Sequence, residues 1–257
     1  LKLTRIIGIN DLRYLNKINP DLILVTLPPS MAVSLGLTYS RNKIPILCDI
    51  QDITDEYKIS FTNKLVSLLY RTYYSKVYEK IKKYDIVFTV TEAMAKIIEY
   101  KTGVKPILAP NGSDLELYSK SFSKYKNKQP CNPYCIGVFV GSLDWEYQRL
   151  ESLIEAVYLL RKHYNLELKL RIIGQGRLLK YYMKIARTHG ISDLVYFYGY
   201  VPMDKLPKVV ASSDFGIVSR PSIRNNWIMA SIRMTIYDYL SAGLPIVAYG
   251  PPYSYTK

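Results

Sequence analysis

The 257 residues are 49% hydrophobic with a formal charge of +14, enough apolar material for one large core or two ordinary ones and too much for a disordered chain. Residues 1–120 hold 17 basic against 12 acidic side chains and residues 121–257 hold 18 against 9, so the positive excess is diffuse. That weighs against a dedicated nucleic-acid stripe and for a phosphate-handling protein, and no helix-turn-helix, zinc finger or aromatic RNA platform is readable.

The chain begins at Leu1 without the charged, apolar and small-residue zones of a signal peptide, which reads as a truncated start and a cytoplasmic location. Its most apolar stretch, from Leu22 to Leu37, is interrupted by Pro28-Pro29 and falls short of the roughly 20 residues that a membrane span needs. Short Ile- and Val-rich runs then alternate with helical patterns, the mark of βαβ units and parallel sheets. Strands are expected over 22–27, 45–50, 86–90, 106–109, 135–141, 168–173, 195–198, 214–218 and 245–248. Helices are expected over 62–83, 92–102, 149–163, 177–189, 203–211 and 233–242.

Between Tyr118 and Tyr134 the rhythm breaks into Lys, Ser, Asn and two prolines. The expected organisation is therefore a first α/β domain over 1–120, a linker over 121–134 and a second domain over 135–257. Each is an incomplete doubly wound sheet, with only four strands before the linker and the last strand close to Lys257, so further strands are expected outside the chain. Cys48, Cys131 and Cys135 are too few for a disulfide framework or a metal site, and His163 and His189 read as surface residues.

Four local patterns carry chemistry. Ala109-Pro-Asn-Gly-Ser-Asp-Leu-Glu-Leu-Tyr118 follows a strand and contains an Asn-Gly turn. Gly137-Val-Phe-Val-Gly-Ser-Leu143 is a strand delivering a glycine turn towards a helix, where backbone N–H groups can face a phosphate. Leu170-Arg-Ile-Ile-Gly-Gln-Gly176 is a second strand with a glycine turn, and Ser231 to Ala248 is a helix ended by Gly243 followed by a buried strand opened by Pro245. In this order and spacing the four resemble the retaining glycosyltransferases of family 4 in the GT-B superfamily, where the matching stretches look like "PNGVD", "vGxL…KGl", "iGxGp" and "E…lfEYlaxGkPVva". Asp49-Ile-Gln-Asp52 and Thr89-Val-Thr-Glu-Ala93 also look like family segments.

The resemblance implies two Rossmann-like domains facing each other across a cleft, an acceptor-side domain first and a donor-binding domain second. It implies transfer of a sugar from a nucleotide-diphosphate sugar to a glycan, lipid-linked or protein-linked acceptor, with retention at the anomeric carbon. Donor-binding residues are then expected at Gly141 and Ser142, at Gly174 and Gly176, and at Arg233, Met234 and Thr235, where family backbone amides meet the diphosphate. Arg149 is a shifted substitute for a family lysine absent at Gln148, with a solvated helix-start cation as its other reading. Of the family's acidic pair, the first falls on Ala230 and is lost; Asp238 matches the second, credited with binding the ribose hydroxyls. The family's acceptor-side histidine has no counterpart before residue 163, so Asp49 or Asp52, following a strand end, is the candidate to face the reacting sugar.

No Asp-x-Asp motif or acidic and histidine cluster has metal spacing, so no metal or other cofactor is expected beyond the donor itself. The helix over 64–83 carries six basic residues and one acid, with Leu65, Leu68, Leu69, Tyr73 and Val77 as its apolar stripe. Such a face either packs on its sheet or lies on the inner face of an anionic membrane. The competing readings are a nucleotide-sugar epimerase of the same architecture, which would want cleft histidines, and a catalytically decayed protein of this fold. A nucleic-acid binder rests on charge alone.

Overall fold

The computed structural model describes residues 3–6, 20–39, 44–53, 64–125, 134–144, 150–219 and 231–249. The main division between two compact units falls between Pro110 and Asn111.

The first unit runs β1 (Leu3–Ile6), β2 (Leu22–Leu27), α1 (Ser30–Tyr39), β3 (Ile46–Ile50), α2 (Lys64–Ile81), β4 (Ile86–Thr89), α3 (Glu92–Thr102) and β5 (Ile107–Leu108). Its strands form a parallel sheet in sequential order. Ile23, Val25 and Leu27 of β2 and Ile46, Cys48 and Ile50 of β3 are buried in a core closed by Val33 of α1, Val77 and Ile81 of α2, and Met94 and Ile98 of α3. The thiol of Cys48 belongs to this core; burial first and Asp49 second push its pKa up to about 12. Helix α3 is punctuated at both ends, by Thr91, whose hydroxyl accepts from Met94 N (3.1 Å), and by Gly103 at φ +72°.

Three elements differ from expectation. Strand β1 adds a fifth strand to the four foreseen; its Leu-Thr-Arg-Ile is short and interrupted by a charge. Helix α1, Ser-Met-Ala-Val-Ser-Leu-Gly-Leu-Thr-Tyr, is apolar almost all round and shows no amphipathic period to read. In α2 the packing stripe is Tyr74, Val77, Tyr78 and Ile81, whereas Leu68, Leu69 and Tyr73 of the foreseen stripe are exposed at 61%, 62% and 46%. Among the described residues no helix is long and apolar enough to cross a membrane.

The second unit runs α4 (Leu115–Tyr125), β6 (Cys135–Val140), α5 (Leu150–Tyr164), β7 (Leu168–Ile173), α6 (Leu179–Thr188), β8 (Val195–Gly199), α7 (Leu206–Ala211), β9 (Phe215–Ser219), α8 (Met234–Ser241) and β10 (Ile246–Tyr249). Its parallel sheet has the order β10-β9-β6-β7-β8, reversing direction between β6 and β9. One face packs Phe139, Leu170, Ile172 and Ile217 against Leu153, Ile154 and Val157 of α5 and Tyr182 of α6. The other packs Val138, Ile173 and Val218 against Val210 of α7, Tyr239 of α8 and Tyr118 of α4. Tyr118, 1% exposed in that core, is why α4 joins this unit, and why the division lies upstream of the linker expected over 121–134. Cys135 at the head of β6 is disulfide-bonded, a bond that three cysteines did not lead one to expect.

Both sheets use one registration device. Asp85, just before β4, accepts from Ile46 N through Oδ2 (2.7 Å) and donates its own N–H to Ile46 O (3.0 Å). Asp214, just before β9, does the same with Ile136 (2.7 and 2.8 Å). Each aspartate pins the start of a neighbouring strand by side chain and main chain together, fixing the register from which the carboxyl ends, and the loops on them, are measured.

Candidate functional site

In open parallel sheets ligands lie beyond the carboxyl ends of the strands, where the strand order reverses. In the second unit that place is beside β6, and two glycine turns meet there. Gly141 N donates to Ile173 O (3.0 Å), Leu143 N to Gln175 O (3.0 Å) and Leu178 N to Leu143 O (3.1 Å), which joins the turn after β6 to the turn after β7, backbone to backbone. Gly174 sits at φ +144°, and a Cβ on it would lie 1.9 Å from the Gly141 carbonyl oxygen. A Cβ on Gly176 would lie 2.4 Å from the Leu143 carbonyl carbon. Neither position admits a side chain.

Asp144 ties the two turns further. Its Oδ2 accepts from Ser142 Oγ (3.1 Å), its Oδ1 from Arg177 N (2.8 Å), and its carbonyl from Arg177 Nε (3.0 Å). Gly141, Ser142, Gly174, Asp144 and Gln175 line one side of a pocket of about 380 Å³; Val201, Met203 and Leu206 give it an apolar side. A larger hollow of about 520 Å³ lies at the amino ends of β6 and β7, around Cys135, Leu168 and Leu160. That hollow borders the C-terminal end of α5, whose carbonyls disfavour an anion, so the smaller pocket is the one suited to phosphate.

Helix α8 approaches the β6 turn with its N-terminus. Arg233, its N-cap, donates from Nε to Ser219 O (3.2 Å), its guanidinium carbon lies 5.9 Å from the Phe139 ring, and its Nη1 is 3.5 Å from where a Cβ on Gly141 would stand. A permanent positive charge and a helix N-terminus therefore stand beside the first glycine turn. Met234 opens the helix, exposed. Thr235 stands one turn before Tyr239, whose hydroxyl accepts from Val140 N (3.0 Å) and donates to Ile217 O (3.3 Å). The Tyr239 ring lies where any Cβ on Gly216 would be, 2.3 Å away, so the glycine in β9 is what admits it.

Asp238 is half-buried, and its Oδ1 accepts a short hydrogen bond from Ser113 Oγ (2.6 Å). The hydroxyl of Tyr118 lies close to the same carboxylate, is buried, and makes no hydrogen bond of good geometry. Burial, then the Asp238 charge, raise the pKa of this phenol, which stays neutral.

Glycine turns, Arg233 and a carboxylate one turn inside α8 thus lie on one unit. Residues 135–252 match the glycosyl transferases group 1 family. The group 1 match starts at the first residue of β6 and takes in both turns and α8. The chain is similar in structure to TarM of S. aureus (16% identity over 94% of this chain and 44% of that one, TM-score 0.64). It is similar to sucrose-phosphate synthase of Thermosynechococcus elongatus (14%, 93% and 58%, TM-score 0.67) and to HepE of Anabaena, solved with UDP and glucose (17%, 95% and 64%, TM-score 0.63). These likenesses establish the fold, two Rossmann-like α/β units of the GT-B kind, and the chain spans 44% to 64% of those structures' lengths. No curated protein sequence matches it.

Of the residues singled out from the sequence, Gly141, Ser142, Gly174, Arg233, Met234, Thr235 and Asp238 all fall on the second unit, and the first three line one pocket. Gly176 serves the packing of the two turns. Asp49 and Asp52 belong to the first unit, at the carboxyl end of β3, where Asp49 Oδ2 accepts from Gln51 Nε2 (2.8 Å). Arg149, with Gln148 and Ala230, lies outside the described residues. Sequence reasoning overlooked Asp144, Arg177, Tyr239 and Ser113. For Tyr239 the usable signal was Gly216, a glycine inside a strand, between Phe215 and Ile217.

Proposed function

We propose that the chain transfers a sugar from a nucleotide-diphosphate sugar to a glycan, lipid-linked or protein-linked acceptor, with retention at the anomeric carbon. The observation that carries this is the pair of fused glycine turns forming a pocket with Arg233 and the α8 N-terminus beside it. Departure of the nucleotide diphosphate builds negative charge on two phosphates while the anomeric carbon becomes oxocarbenium-like. Turn amides, the helix N-terminus and the Arg233 guanidinium meet that charge with groups already in place, and in this reading no metal is needed. The apolar side at Val201, Met203 and Leu206 takes the nucleobase, and Asp238 takes the ribose hydroxyls, since an ionised carboxylate is an acceptor only. Asp49 or Asp52 is assigned the neighbourhood of the reacting sugar.

The test is a thermal-stabilisation panel of nucleotides and nucleotide sugars, followed by measurement of transfer and donor hydrolysis with the stabilising donor. Stabilisation by one nucleoside diphosphate and its sugar, with transfer or slow hydrolysis, is the expected outcome. Stabilisation without turnover would favour the decayed reading that Ala230 raises, and no stabilisation by any nucleotide would end the donor-site reading.

We further propose that α2 meets an anionic membrane surface, as an enzyme working on a lipid-linked acceptor at the inner face of the membrane would. Leu68, Leu69 and Tyr73 are exposed beside Arg71 and Lys76, a combination that suits insertion below headgroups with basic side chains at their level. Replacing Leu68 and Leu69 by Ser should lower sedimentation with vesicles of mixed neutral and anionic lipid by about tenfold, on the order of 1 to 2 kcal/mol, and leave the folding midpoint unchanged. Equal vesicle binding by parent and variant would remove the membrane from the scheme.

A further inference from the structure

We infer that Ser113 is a positioning residue for the Asp238 carboxylate, and through it for the ribose of a bound nucleotide, an inference that rests on the nucleotide-sugar reading above. The two residues are 125 positions apart and meet at 2.6 Å, the length of a strong hydrogen bond to an ionised acceptor. Ser113 is itself held. The next residue, Asp114, accepts from Leu117 N through Oδ1 (2.9 Å) and from Tyr118 N through its carbonyl (3.2 Å), which fixes the start of α4. Four residues on from Asp114, Tyr118 anchors the same helix in the core of the unit.

This contact joins two of the places where the chain departs from the pattern it resembles. Ser113 stands where the "PNGVD" stretch has valine, which cannot donate, and Asp238 stands where glutamate is usual. A shorter acid on a helix has a broad terminal torsion, so its carboxylate plane is set by whichever donor reaches it. Two donors are near: Ser113, which holds Oδ1, and the buried Tyr118 hydroxyl, which makes no hydrogen bond of good geometry. Ser113 thus decides between a carboxylate turned to its own side, with Oδ2 and the second lone pair of Oδ1 left for the ribose, and one drawn onto the phenol in the core. Without Ser113 the phenol is the better internal partner, because satisfying a buried hydroxyl is favourable.

The experiment uses the whole chain and calorimetric titration with UDP, ADP and GDP, each beside its 2′-deoxy counterpart. Ser113→Ala should weaken the preferred ribonucleotide about five- to tenfold, while its 2′-deoxy form changes less than about twofold, so the ratio between them collapses. Ser113→Thr, which keeps a hydroxyl, should preserve the parent ratio. Ser113→Ala with Tyr118→Phe should regain much of it, because the competing donor is gone. A Ser113→Ala variant that unfolds as cooperatively as the parent and keeps its ribose preference would overturn the inference while leaving the donor site intact. A parent that binds ribo and deoxy forms equally would overturn the inference and the ribose role of Asp238 together.

Discussion

Gly174→Ala is expected to destabilise the second unit by about 3 kcal/mol or more, whereas Gly112→Ala should cost less than about 1 kcal/mol, although both glycines belong to recognisable motifs. The difference is physical. At 174 the backbone sits at φ +144° and the new methyl would overlap the Gly141 carbonyl oxygen, while around Gly112 nothing lies within 4 Å and its φ is ordinary for any residue. Neither obstacle at 174 is the far end of a flexible side chain, so the two turns would have to part. They cannot do so without breaking the Gly141, Leu143 and Leu178 hydrogen bonds and the Asp144 ties. Urea unfolding followed by circular dichroism, with nucleotide binding in parallel, decides this. Coincident midpoints for the two variants would mean that the turns are not packed as described.

Asp238→Asn should weaken nucleotide binding about ten- to a hundredfold, the usual worth of a charge-assisted hydrogen bond at roughly 1.5 to 3 kcal/mol. The amide keeps the shape, and its oxygen can still accept from Ser113, so folding should barely change. The loss should be specific to ribose. A 2′-deoxy donor binds the parent more weakly, and the variant should discriminate less between the two forms, since the same contact is removed twice. If the variant binds ribo and deoxy donors as the parent does, Asp238 has no ribose role.

Much of this architecture is legible in the sequence for a definite reason. Runs such as Leu-Ile-Leu-Val-Thr-Leu over 22–27 and Leu-Lys-Leu-Arg-Ile-Ile over 168–173 leave a strand as the only economical burial, and both strands have those bounds. Gly174 and Gly176 are legible because a backbone approach excludes every other residue. What escapes is whatever depends on a distant partner. Asp144 looks like any loop acid until Arg177 is brought to it, and Ser113 like any turn serine until α8 supplies Asp238. The linker expected over 121–134 begins inside helix α4 because the Lys and Ser content there is that of a surface; one buried tyrosine, Tyr118, overrides that composition.

The hydroxyl of Tyr239 takes from Val140 N and gives to Ile217 O, just past the last paired residues of β6 and β9, Phe139 and Ile217. It is a wedge in place of a rung between these neighbouring strands, and it leaves neither main-chain group unpaired. The helix that bears the wedge also bears Arg233 and Asp238. Seating that helix and completing the sheet are consequently one event, and a nucleotide that favours the seated helix tightens the strand beneath it by the same free energy.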